Sequence, residues 1–100
     1  MQINISSIHF KTDKKLEDFI RDKISKLSYY YEGVIGSDVT LKLEHGSEKY
    51  NNKVVEIRLI VRGNDLFAKK QSKTFEGAVD IATEALRRQL KKHKERIIQK

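Results

Sequence analysis

Asp38–Arg62 reads DVTLKLEHGSEKYNNKVVEIRLIVR, and this stretch decides the fold class. Val39, Leu41 and Leu43 alternate with Asp38, Thr40, Lys42 and Glu44. Val55, Ile57, Leu59 and Val61 alternate in the same way with Glu56, Arg58, Ile60 and Arg62. A period of two puts one set on a core face and the other on an outer face, so both runs are half-buried strands. The polar segment GSEKYNN between them is a loop, and Gly63-Asn64-Asp65 after them is turn chemistry. A short strand, Leu66 to Gln71, follows that turn. Three strands joined by short connections make a meander the economical topology.

Upstream, Ile3 and Ile5 alternate with Gln2, Asn4 and Ser6, giving a first strand. The alternation slips at Ser6-Ser7 before Ile8 and Phe10, which predicts a bulge or strand end there. Thr12 or Asp13 can cap the next element, and neither has the Glu or Gln three residues on that completes a capping box. Leu16, Phe19, Ile20, Ile24, Leu27 and Tyr31 recur at helical spacing, with Lys15, Asp22, Ser25 and Lys26 on the other side. Gly33 and Gly36 end that segment. Downstream, Ser72 or Thr74 opens a helix running from about Phe75 to near the C-terminus. The order is β-α-β-β-β-α. It predicts an α+β two-layer sandwich in which two helices cover one face of a four-stranded sheet and the other face stays polar and open.

The last helix is amphipathic. Phe75, Ala78, Val79, Ala82, Leu86, Leu90, His93 and Ile97 form one stripe, while Arg87, Arg88, Lys91 and Lys94 point away from it and Lys92 and Arg96 flank. From Ile81 onward seven bases meet two acids, so this segment holds +5 of the chain's +7. Cations in a last turn complement the helix dipole, which accounts for two or three of them. It does not account for six between Arg87 and Arg96 with one acid among them, because like charges one turn apart repel by a few tenths of a kcal/mol per pair. A polyanion, first of all nucleic acid, is the partner such a ridge implies.

Other features bound the function. One hundred residues make one domain. There is no cysteine, which removes disulfides, thiolate catalysis and zinc–thiolate sites. The N-terminus lacks a signal-peptide pattern and no apolar run approaches a membrane span, so a soluble cytoplasmic protein with no membrane partner is expected. His9, His45 and His93 lie on three elements without ligand spacing, and neither a phosphate loop nor a Ser/His/Asp order occurs. No enzyme activity, metal or cofactor is expected. Lys42, Arg58 and Arg62 on the outer sheet face read equally well as RNA contacts or as cross-strand partners of Glu44 and Glu56. Tyr29-Tyr30-Tyr31 reads as core plus rim, with base stacking as the alternative.

The element order, together with the ending Asp80 … Leu86-Arg87-Arg88-Gln89-Leu90-Lys91-Lys92-His93-Lys94, resembles the ribosome hibernation-promoting factors. These are also called ribosome-associated inhibitors, and formerly modulators of an alternative sigma factor. The resemblance covers the whole chain. MQINISSIHF is similar to the family's first strand, Lys23-Ile24-Ser25-Lys26-Leu27 to its lysine-bearing first helix, and Leu41-Lys42-Leu43-Glu44 to its second strand. The resemblance implies a fold similar to double-stranded-RNA-binding domains. It implies binding in the channel between head and body of the small ribosomal subunit, over the positions of mRNA, tRNA and some initiation factors, and translation held inactive in stationary phase or starvation. Lys23, Lys26, Arg88, Lys92 and Lys94 match family basic positions and are expected rRNA contacts; Arg87 and Lys91 join them by charge.

Two departures stand out. Thr74-Phe75-Glu76-Gly77-Ala78-Val79-Asp80 replaces an Asp-Met-Tyr-Ala-Ala-Ile-Asp-like start of the second helix, so Glu76 stands where a tyrosine is usual and a contact through that tyrosine is not carried over. The chain also stops at Lys100, without the C-terminal dimerisation domain of long members or the acidic tail of some short ones. It is similar to the short, dimer-promoting type, expected to be a monomer that acts with a separate small factor. A stand-alone binder of double-stranded or structured RNA, and a regulator of an acidic protein surface, are the alternative readings.

Overall fold

A computed structural model describes residues 1–44 and 52–98. The loop expected at 46–52, apart from Asn52, lies outside the described residues, as do His45, Lys100 and the side chain of Ile97. The elements are β1 (Gln2–Ile8), α1 (Lys14–Ser25), a 3-10 turn (Lys26–Tyr29), β2 (Val34–Leu43), β3 (Lys53–Val61), β4 (Leu66–Ser72) and α2 (Phe75–Ile98). The strands lie in the order β1-β2-β3-β4. β1 pairs parallel with β2, and β2-β3-β4 form the expected antiparallel meander.

The core is the inner sheet face plus one stripe of each helix. Val39, Leu41, Val55, Ile57, Leu59 and Val61 supply the sheet side, and Ile20, Ile24, Ala78, Val79, Ala82, Leu86 and Leu90 the helix side. Burying each Val, Leu or Ile is worth about 1.5–3 kcal/mol, so these stripes hold the two layers together. Two buried hydroxyls are satisfied locally: Ser37 Oγ donates to the Arg58 carbonyl at 3.1 Å and Thr83 Oγ1 to the Val79 carbonyl at 2.9 Å. Asp13 caps α1 by accepting from the Leu16 amide at 2.7 Å, and Thr74 caps α2 by accepting from the Gly77 amide at 2.9 Å.

Three expectations are corrected. No break occurs at Ser6-Ser7, because β1 stays in register with β2 from Gln2↔Gly36 to Ile8↔Lys42. The continuous pairing puts Ser7 on the inner side and leaves Ile8 outside, 42% exposed. The strand ends at Ile8; the next residue, His9, has a left-handed φ of 67°, and the Ser7 hydroxyl donates to the Phe10 carbonyl at 2.6 Å. The outer sheet face is not uniformly polar: Phe67 is 54% exposed there, and Val54 is fully buried at an outward position. Arg62 lies one residue past the strand expected to carry it. β3 stops at Val61, and Arg62 begins the turn that Gly63 completes with φ 94°.

The helices run side by side in the same direction. Phe10 stacks on Phe75 with ring centroids 5.0 Å apart, Lys23 reaches Asp80, Tyr30 meets Arg87 and Tyr31 meets His93. Both C-termini therefore lie toward one end, and so do the negative ends of two helix dipoles. Arg96, in the last turn of α2, complements the dipole of that helix. Among the described residues no helix is long and apolar enough to cross a membrane.

Candidate nucleic-acid interface

At about 100° per residue, the buried side of α2 is centred on Leu86. Its solvent side divides into three strips. Arg88 and Lys91 occupy the crest. Arg87 and Lys94 occupy the flank toward α1, with Asp80. Lys92 and Arg96 occupy the flank toward β4, with Gln89. The bases therefore form a collar around the exposed half of the helix instead of a single ridge, and Lys94 lies on a flank, not opposite the apolar stripe.

Side chains from both layers hold the collar in place. Gln89 Nε2 donates to the Phe67 carbonyl at 3.0 Å. His93 Nε2 lies 3.3 Å from the Arg62 carbonyl, and its ring meets Tyr31 edge-on with centroids 5.4 Å apart. His93 is thus a packed residue that anchors the helix, as its place on the apolar stripe predicted. A shallow cleft opens between the Asn64–Phe67 turn and the Lys92/Arg96 flank.

The seven expected contact residues fall into two groups. Lys23 Nζ lies 3.0 Å from Asp80 Oδ1 and 5.5 Å from the centre of the Phe19 ring. Lys26 Nζ lies 3.2 Å from Asp22 Oδ2. Arg87 donates from Nε and Nη2 to the two oxygens of Glu84 at 3.0 and 2.6 Å, with its guanidinium 5.9 Å over the Tyr30 ring. That hydrogen bond holds the Glu84 carboxyl below the usual carboxylate range and raises Arg87. The remaining four, Arg88, Lys91, Lys92 and Lys94, are exposed and form no ion pair with a described residue. The open quartet offers net positive charge; Lys23, Lys26 and Arg87 are first of all ties within and between the helices.

Spacing along the sequence did not reveal this division, because it depends on acids one helical turn away or on the neighbouring helix. Arg96, on the same flank, lies one turn beyond Lys92 along the same cleft, and its i,i+4 spacing from Lys92 is the signal for it in the sequence. On the outer sheet face, Lys42 pairs with Glu56 at 2.6 Å and Arg58 with Asp65 at 2.7 Å. The Glu56 hydrogen bond raises the Lys42 ammonium above its ordinary value. Ion pairing therefore accounts for Lys42 and Arg58, with Asp65 taking the place expected for a cross-strand glutamate at Arg58. Glu76 lies in the exposed first turn of α2, where an acid complements the dipole. No group of three or more metal-ligating side chains occurs among the described residues.

Residues 3–98 match the family model described as Sigma 54 modulation protein / S30EA ribosomal protein. The chain is 30% identical over 96 residues to a ribosome hibernation promoting factor of Pseudomonas putida, covering 96% of this chain and 89% of the relative. It is 28% identical to a ribosome hibernation promotion factor of Bacillus subtilis, of which it spans 52%, while 100% of this chain is covered. Two solved structures share the fold. The N-terminal domain of Thermus thermophilus Protein Y superposes with a TM-score of 0.80 at 20% identity, covering 93% of this chain and 99% of that one. A ribosomal subunit interface protein of Coxiella burnetii superposes with a TM-score of 0.81 at 18% identity, covering 95% and 99%.

Proposed function

The chain belongs to the Sigma 54 modulation protein / S30EA ribosomal protein family, and from that membership we propose that it is a ribosome hibernation factor that binds the small subunit through rRNA phosphates and stops translation. The observation that carries this reading is the open quartet Arg88, Lys91, Lys92 and Lys94 on a helix tied down at Gln89 and His93. Phosphate contacts by lysine and arginine release counterions, and that release supplies affinity without reading sequence. A wedge with fixed flanks adds shape selectivity for a groove walled by folded RNA. Seated in the mRNA and tRNA channel, the protein excludes both by its bulk, so it needs no catalytic group and no cofactor. It acts where ribosomes are, in the cytoplasm, during starvation or stationary phase.

One sheet and one core make a single binding unit in this reading. On the same reading the protein promotes the pairing of ribosomes together with a second small factor. The direct test is in vitro translation with stoichiometric purified protein, alongside co-sedimentation with separated subunits at low salt. Inhibition together with small-subunit co-sedimentation is expected. Unchanged translation with no co-sedimentation would sink the proposal. Binding to isolated structured RNA but not to subunits would favour a stand-alone RNA-binding domain. Sucrose-gradient profiles of starved cells with and without the protein separate pairing from silencing.

A further inference from the structure

On the α1 flank of the collar, charges alternate with aromatic rings that the core does not use. Of the three consecutive tyrosines only Tyr31 packs against the core. Tyr29 is 82% exposed and Tyr30 is 46% exposed. Tyr29 closes the 3-10 turn Lys26–Tyr29, in which residues three apart eclipse, so Lys26, whose ammonium keeps N–H donors besides the one facing Asp22, projects from the same side as Tyr29. Tyr30 has the Arg87 guanidinium 5.9 Å over its ring, and Glu84 fixes that guanidinium through Nε and Nη2. Arginine has five N–H donors, so Nη1 is left to meet an incoming phosphate. Lys91 and Lys94 continue the positive charge one and two turns beyond Arg87.

Exposed rings in a cationic surround suit a ligand that brings a flat π surface and a negative charge together. An unpaired nucleotide does so; a regular duplex hides its base faces and offers only phosphates. A protein partner would need an acidic aromatic-binding surface to match the same charges. We infer that Tyr29 and Tyr30 form a stacking platform for an unpaired RNA base, with Lys26 and Arg87 beside its flanking phosphates. This rests on the RNA-binding reading above and adds selectivity for a looped-out base to affinity for phosphate.

The test uses the full chain and two short RNA duplexes that differ by one unpaired adenine, replaced by 2-aminopurine for fluorescence. Wild type is expected to prefer the bulged RNA by about 5- to 150-fold, because stacking is worth about 1–3 kcal/mol per base, and to quench the fluorophore. The Tyr29→Ala/Tyr30→Ala double variant should lose preference and quenching yet bind plain duplex as before. Tyr29→Phe/Tyr30→Phe should keep both, since the rings remain. Equal binding of the two RNAs by wild type, or preference retained without the rings, would overturn the inference. Loss of small-subunit binding by the alanine variant with its RNA preference unchanged would place the rings against a protein and overturn it as well. Small-subunit co-sedimentation of wild type is measured in parallel. If that holds while bulge preference is absent, stacking falls and the ribosome reading stands; if wild type binds neither RNA nor subunits, both fall.

Discussion

Gly33 needs the absence of a side chain because Tyr31 occupies the space. A Cβ at that position would come 2.2 Å from Tyr31 Cε2. The ring cannot simply swing away, since it packs against the core and edge-on to His93. The Gly33 carbonyl also accepts from the Arg62 amide at 2.8 Å. One glycine thus lets the end of the first helical segment, the turn after β3 and the basic helix meet at a point. Gly33→Ala is expected to destabilise the fold by about 1–3 kcal/mol, the usual cost of overpacking, and to lower Tm by roughly 4–8 °C per kcal/mol. Thermal unfolding followed by circular dichroism measures it. An unchanged Tm would mean that the Tyr31–His93 contact is not holding the ring.

At the scale of elements, α1 and α2 do more than cover the sheet. Each sends one long polar side chain to an edge strand: Arg21 Nη1 donates to the Ile3 carbonyl of β1 at 2.9 Å, and Gln89 to the Phe67 carbonyl of β4. Both edges thereby lose an acceptor that a foreign strand could use. Of the charged side chains on α2, Asp80, Glu84 and Arg87 work inward, toward α1 or one another, and the open quartet works outward. Changing Arg88, Lys92 and Lys94 together to Glu moves the formal net charge from +7 to +1. Folding should survive, because none of the three is buried or paired with a described residue. Binding to small subunits should weaken by far more than about tenfold, since each lost phosphate contact also removes counterion release. A collapse of Tm in this variant would show that the collar holds up the fold.

For the whole molecule, the salt dependence of binding counts the bases that act. Log K should fall with log salt at a slope of about −3 if only the open quartet neutralises phosphates, and about −6 if Lys23, Lys26 and Arg87 also leave their acids. Equilibrium constants measured from about 50 to 300 mM monovalent salt at fixed magnesium decide between them. A protein–protein contact through rim charges would respond mainly in association rate. A slope near zero would remove the cationic helix as the holding force.

Much of this was legible along the chain. Alternation over Val39–Leu43 and Val55–Val61, the helical stripe from Phe75 to Leu90 and the turn at Gly63 determined the element order and the two-layer architecture, because period and turn chemistry are local properties. The crowding of bases after Leu86 is local in the same way, and the proposed polyanion partner rests on it. Other features depend on partners distant in sequence, and only the tertiary structure decided them. The first strand ran past Ser6-Ser7 because pairing with β2 outweighs the hydrophobic slip. β3 ended at Val61, one residue short of Arg62, because the turn at Gly63 begins there. Lys23 turned out to be tied to Asp80, and Tyr30 lay under Arg87, because the two helices run parallel and bring residues 57 positions apart together. Charge can be read from a list of residues; whether a charge is open or already neutralised is set by what the fold places beside it.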